Sequence, residues 1–134
     1  MIVNVLRFTF RPEATEEDKE RVLTAMRRTA SVDSTEWGTV GQALSDPDGY
    51  THVYCAAVKD LAALERYLHD PVHLAGDYEI APHLQRLTAV RVSDDMDPGL
   101  TEKVMTMAGR KLGMYPVWAK AFTAIPELRM AAGD

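Results

Sequence analysis

Apolar and polar positions alternate through the first ten residues. Ile2, Leu6, Phe8 and Phe10 fall on one face at period two, with Asn4 among them, while Val3, Val5, Arg7 and Thr9 face the other way. The pattern predicts a strand, which Pro12 stops. Between residues 15 and 30 the period lengthens, and Val22, Leu23, Met26 and Ala30 make one helical stripe. Thr15 and Asp18 read as a capping box at its start. Glu16, Glu17 and Asp18 crowd the first turn and Arg27 and Arg28 the last, as the helix dipole favours. A second strand is expected over 35–44, weakened by Gly38 and Gly41. Ser45-Asp-Pro-Asp-Gly49 is a turn sequence. A third strand over 50–58 puts His52, Tyr54, Ala56 and Val58 on one face, and the short turn predicts an antiparallel hairpin.

Asp60 suits an N-cap, and Leu61, Leu64, Tyr67 and Leu68 follow at helical spacing. Asp70-Pro71 ends that helix, because a residue before proline avoids the helical region. A broken helical segment is expected over 72–84, then a fourth strand over 85–93 with Leu87 and Ala89 on one face. The order β-α-β-β-α-β is that of a ferredoxin-like α+β fold. Residues 1–96 are expected to form this domain and 97–134 a C-terminal helical extension. In the extension Leu100, Val104, Met107, Ala108 and Leu112 make a stripe that Gly113 is expected to cap. Tyr115-Pro116 then opens a short helix carrying Val117, Trp118 and Phe122.

Four strands with helices on one side leave Val3, Val5, Val53, Cys55, Val90 and Val92 on the other. That face is too apolar for water, so a homodimer through the open sheet face is expected.

Composition narrows the class. A chain of 134 residues builds one core, and its 46% hydrophobic and 26% charged residues are ordinary for a globular protein. No apolar run approaches the roughly 20 residues of a membrane helix. A net charge of −5 argues against nucleic acid as a partner. The single Cys55 makes neither an internal disulfide nor a cysteine zinc cluster. The opening residues have no basic head followed by an apolar stretch, so a cytoplasmic protein is expected, with neither a membrane nor a nucleic-acid partner.

Chemistry enters with the polar residues on faces expected to be buried. These are Asn4, His52, Tyr54 and Tyr67, with His73 just after the second helix. A buried polar group costs free energy unless it is hydrogen-bonded. Each alone is an ordinary core residue, and Tyr67 fits a plain helix stripe. Converging, they line a pocket, with Leu6, Phe8, Leu23, Met26 and Leu87 as its apolar wall. His69 and His73 are four apart, a metal-ligating spacing on a helix, but Pro71 lies between them and no third ligand is evident. Asp94, Asp95 and Asp97 read as a solvated linker, and no metal site is expected. Phosphate loops, nucleophile elbows and dinucleotide fingerprints are missing from the sequence.

The opening strand ending Arg-Phe-Thr-Phe-Arg-Pro12, the Gly49-Tyr50 start of strand three, and Tyr67 followed by His69-Asp-Pro-Val-His73 resemble the stress-responsive dimeric α/β-barrel domain family. The resemblance covers about residues 1–95 and implies the dimeric α+β barrel. Trp37-Gly38, Gly49-Tyr-Thr-His52, and Tyr67 with His73 are similar to plant polyketide cyclases of this fold. Those enzymes use the matching Tyr and His to promote an intramolecular aldol condensation without metal or cofactor. The resemblance therefore implies Tyr67 and His73 as the catalytic pair, no cofactor, and a small polyketide-like substrate. Asn4 stands where the cyclases have a histidine, and Asp70 replaces the first histidine of their motif. Those departures imply a pocket of different shape and polarity. The chemistry itself needs a base for an acidic C–H beside a carbonyl and a donor for the oxyanion that forms.

Two other classes fit the same fold. One is a haem-binding or cofactor-free monooxygenase, with His73 or His83 as the haem's proximal ligand. The other is a non-catalytic binding or stress-response dimer, in which Tyr67 and His73 only fasten the helix break.

Overall fold

The computed structural model describes residues 1–130. Strand β1 (Ile2–Phe10) is the spine of the sheet, pairing antiparallel with β3 (His52–Val58) on one side and β4 (Leu84–Ser93) on the other. Strand β2 (Thr35–Gln42) lies outside β3. The antiparallel hairpin forms as expected, and Gly49 takes the left-handed φ of 81° that its turn requires. Helix α1 (Glu16–Thr29) starts on the capping box, Thr15 Oγ1 accepting from the Asp18 N–H and Asp18 Oδ2 from the Thr15 N–H, both at 3.0 Å.

The broken helix resolves into α2 (Leu61–Leu68) and α3 (Pro71–Ile80), followed by a short 3-10 turn over Ala81–His83. Asp60 Oδ1 caps α2 through the Ala63 N–H at 2.9 Å, and Asp70 Oδ1 caps α3 through the Val72 N–H at 2.8 Å, with Pro71 at the first turn. Gly76 lets α3 approach α1, since a Cβ there would meet Thr29 Oγ1 at 3.0 Å. The core fills the space between the sheet and these helices, with Phe8, Leu64, Leu84 and Leu87 fully buried.

Two expectations about the chain after β4 are corrected. Helix α4 (Leu100–Met114) runs through Gly113 and ends at Tyr115. Tyr115 precedes Pro116, whose ring pushes it out of the helical region, to φ −127° and ψ 73°. Helix α5 (Pro116–Thr123) follows, and the chain then adds a strand instead of ending in helix. Strand β5 (Glu127–Met130) pairs parallel to β4, so the expected four-stranded antiparallel sheet is a five-stranded mixed one, ordered β2-β3-β1-β4-β5. The remaining residues of the expected extension, 131–134, lie outside the described residues. Helix α4 packs on α2 and α5 on α3, so the extension lies on the same side of the sheet as the earlier helices.

Candidate active site

The break between α2 and α3 brings two side chains together. Tyr67 sits in the last turn of α2 on its buried face, beside Leu64 and Leu68. After the cap at Asp70, α3 turns the His73 ring back over Tyr67, with ring centroids 4.5 Å apart. His73 Nδ1 lies 2.8 Å from the Tyr67 carbonyl oxygen. A carbonyl only accepts, so Nδ1 carries the proton and the neutral ring keeps its lone pair on Nε2. That nitrogen lies 3.4 Å from Asp77 Oδ2, one helical turn on. The Trp118 indole of α5 donates to the same carboxylate oxygen at 2.8 Å.

The sheet supplies the facing wall. In the register Leu6 stands between Tyr54 and Ala89, and Asn4 between Ala56 and Arg91. Tyr54 and Tyr67 share a hydrogen bond between their hydroxyls at 2.5 Å. Arg91 Nε donates to Asn4 Oδ1 at 2.8 Å, and Asn4 Nδ2 donates to the Ala56 carbonyl at 3.4 Å. From α4, Lys111 enters the same space with its Nζ 4.2 Å from the centre of the Trp118 ring. The cavity so lined is about 70 Å³, and the two tyrosines, His73 and Asp77 also line a void of about 20 Å³ beside Met26 and Leu87.

Burial governs the ionisation of these groups. It pushes both phenols well above the usual tyrosine range, so each is a neutral hydroxyl. It lowers His73, against the opposing pull of Asp77, and so favours the neutral ring. It also lowers Lys111 from 10.5 to about 8, which Asp77 resists and Arg91 reinforces. The site can therefore offer a neutral imidazole as base, a phenol as donor, and two cationic heads.

Of the residues expected at the site, Tyr67, His73, Asn4, Leu6 and Tyr54 meet at the cavity, and Met26 and Leu87 reach only the smaller void. Phe8, Leu23 and His52 do not join them. His52 shares the inward face of β3 with Tyr54 but sits two residues along, a step of about 6.6 Å. There it stacks on Phe8 at 5.5 Å and meets Phe10 edge-on at 5.0 Å. Leu23 packs against the core from α1. His69 turns to the Tyr115 hydroxyl at 3.0 Å, so it and His73 do not face one ligand.

Asp77, Arg91, Lys111 and Trp118 are the site residues that sequence reasoning missed. Three carried a signal. Asp77 is four residues after His73, Arg91 continues the parity of Leu87 and Ala89, and Lys111 follows Ala108 by three in the α4 stripe.

Among solved structures, the fold is similar to a dimeric ferredoxin-like protein of unknown function from Thermobifida fusca. The two are 23% identical over 69% of this chain and 89% of that one, with a TM-score of 0.61. A ferredoxin-like protein of the Dabb family from Mesorhizobium loti matches at 18% identity over 70% and 96%, with a TM-score of 0.62. The hydroxynitrile lyase of Passiflora edulis matches at 12% identity over 71% and 95%, with a TM-score of 0.63. No curated protein matches the chain. The Stress responsive A/B Barrel Domain family matches residues 2–94, from the first residue of β1 to just past β4, the stretch that holds Tyr54, Tyr67 and His73. The chain belongs to that family.

Proposed function

We propose that this protein is a cofactor-independent acid–base enzyme that closes a small polyketide-like substrate by an aldol-type step. The observation that carries the reading is the Tyr54–Tyr67–His73 cluster on one cavity, with the His73 tautomer fixed by the Tyr67 carbonyl. His73 Nε2 takes the proton from a carbon flanked by carbonyls, and Asp77 at 3.4 Å stabilises the imidazolium that results. The Tyr54 hydroxyl donates to Tyr67, and the Tyr67 O–H donates to the carbonyl as it becomes an oxyanion. Two phenols in a row strengthen the terminal donor. The enzyme works as a homodimer, each protomer carrying one cavity, and the extension after β4 closes that cavity on its α4–α5 side.

The test is turnover of a linear triketo acid and of its thioester. Tyr67→Phe removes the donor and keeps the ring. His73→Asn keeps a donor for the Tyr67 carbonyl and removes the base. Each is expected to lower kcat by about 10²-fold or more. Because the base must be neutral and burial lowers its pKa, the wild-type rate holds at neutral pH and falls only below the ordinary histidine value of 6.5. Wild-type turnover in both variants overturns the reading and leaves the pair as fasteners of the helix break.

A further inference from the structure

Lys111 is 3% exposed, yet among the described residues its ammonium has no hydrogen-bond acceptor and no ion pair. The ring of Trp118 at 4.2 Å attracts the charge but accepts none of its N–H groups in the manner of an oxygen. Arg91 lines the same cavity. Its Nε is used on Asn4, and its two terminal nitrogens have no partner among the described residues. Among the described residues the one carboxylate on the cavity, Asp77, accepts from Trp118 and faces His73. Among the described residues two cations therefore meet one engaged anion on this cavity. A buried cation without an acceptor is costly, and an arrangement of this kind is balanced by an anion that arrives with the ligand.

We propose that the cavity binds a carboxylate between Lys111 and Arg91, so that the substrate is a free 3-oxo acid and not a neutral ketone or thioester. The inference rests on the catalytic reading above for the word substrate, and on the cavity alone for the carboxylate. Its chemistry suits the place. Arg91 offers the edge of a planar fork and Lys111 a movable point charge, and a planar carboxylate accepts from both. At about 70 Å³ the cavity is small, which suits a compact planar head group such as a carboxylate. Anchored there, the acid presents its C2 hydrogens to His73 Nε2 and its ketone to Tyr67. The lysine and the indole both come from the segment after β4, outside the stretch that matches the family. The carboxylate is thus a preference that this chain adds to a common scaffold.

Equilibrium binding tests the proposal without turnover. Acetoacetate and acetylacetone differ by a carboxylate oxygen against a methyl group, so their ratio isolates the charge. Calorimetry on the full chain at neutral pH is expected to show acetoacetate at least tenfold tighter. Lys111→Met should bring the two ligands within about twofold of each other. Tyr67→Phe should leave the preference in place, which separates this site from the catalytic role of Tyr67. Equal affinity for both ligands in the wild type, no acetoacetate binding, or a preference that survives Lys111→Met would each overturn the inference. A retained preference beside unimpaired turnover in His73→Asn would remove the catalytic reading and leave the carboxylate site standing.

Discussion

At pH 7 the Lys111 ammonium faces Asp77 from α3, Arg91 from β4 and the Trp118 ring from α5, and burial holds its pKa at about 8 against 10.5 in the open chain. Between those two values the unfolded chain binds more protons than the folded one, so this group makes stability rise with pH across the window. Below about 8 the full penalty is present. A shift of that size corresponds to something on the order of 3 kcal/mol. The contact with Trp118 offsets part of it, by about 2 kcal/mol. Lys111→Met fills the same space without charge. Its melting temperature at pH 7 should exceed that of the wild type by several degrees, and the gap should shrink as pH rises toward 10. Thermal melts of both proteins across that range measure the difference, in which the common titrations of Tyr54, Tyr67 and His73 cancel. A wild type that is the more stable protein at pH 7 would show the ammonium to be satisfied in the fold. The converse, a variant that gains stability as it loses ligand, is the usual trade at a functional site.

Among the elements, α5 ties the segment after β4 to the chemistry through a single bond, Trp118 Nε1 to Asp77 Oδ2 at 2.8 Å. Trp118→Phe keeps an aromatic ring stacked near Phe122 but leaves the buried carboxylate short of a donor. The expected cost is about 1.5–3 kcal/mol of stability, read by denaturant unfolding, as for other bonds to charged groups. Under the proposed mechanism Asp77 then positions the His73 imidazolium less firmly, so kcat should fall more than KM rises. The elements up to β4 were legible in the sequence because each has its own period and punctuation, such as Thr15 with Asp18 or Asp70 with Pro71. The pair Tyr67 and His73 was legible from the same break. Strand β5 was not, since Glu127–Met130 is too short for a period and owes its form to the free edge of β4. His52 misled for a related reason. Parity gives the face of a strand but not the position along it, and the register places His52 across from Phe8 while Tyr54 lies across from Leu6. Lys111 shows the limit from the other side: a lysine inside an apolar stripe reads as a flank until the partner surface is known.

For the whole molecule, the sheet has two faces and the described residues cover one. Helices α1 to α5 all pack on the side that carries Asn4, Leu6, Tyr54 and Arg91, which makes the cavity complete within a single protomer. The far side presents Val3, Val5, Val53 and Cys55 partly covered, with Val90 and Val92 46% and 58% exposed. These six positions are contiguous across β3, β1 and β4 in the register, Val5 standing between Cys55 and Val90, and Val3 beside Val92. An apolar patch of this kind on a regular sheet is self-complementary under a two-fold axis, and two such sheets pack about 10 Å apart. The wild type is therefore expected to sediment as a dimer at micromolar concentration. Val90→Lys places a charge within that patch, on its β4 side, where the single chain tolerates it but a sheet-to-sheet contact does not. The variant should sediment as a monomer with an unchanged circular dichroism spectrum. Cys55 gives a second readout, because a thiol in the interface is shielded from alkylation and should react at least tenfold faster in the variant. Since the cavity lies on the opposite side, the monomer should keep its preference for acetoacetate over acetylacetone. A wild type that sediments as a monomer would overturn the dimer, and a Cys55 equally reactive in both proteins would move its contact away from this face.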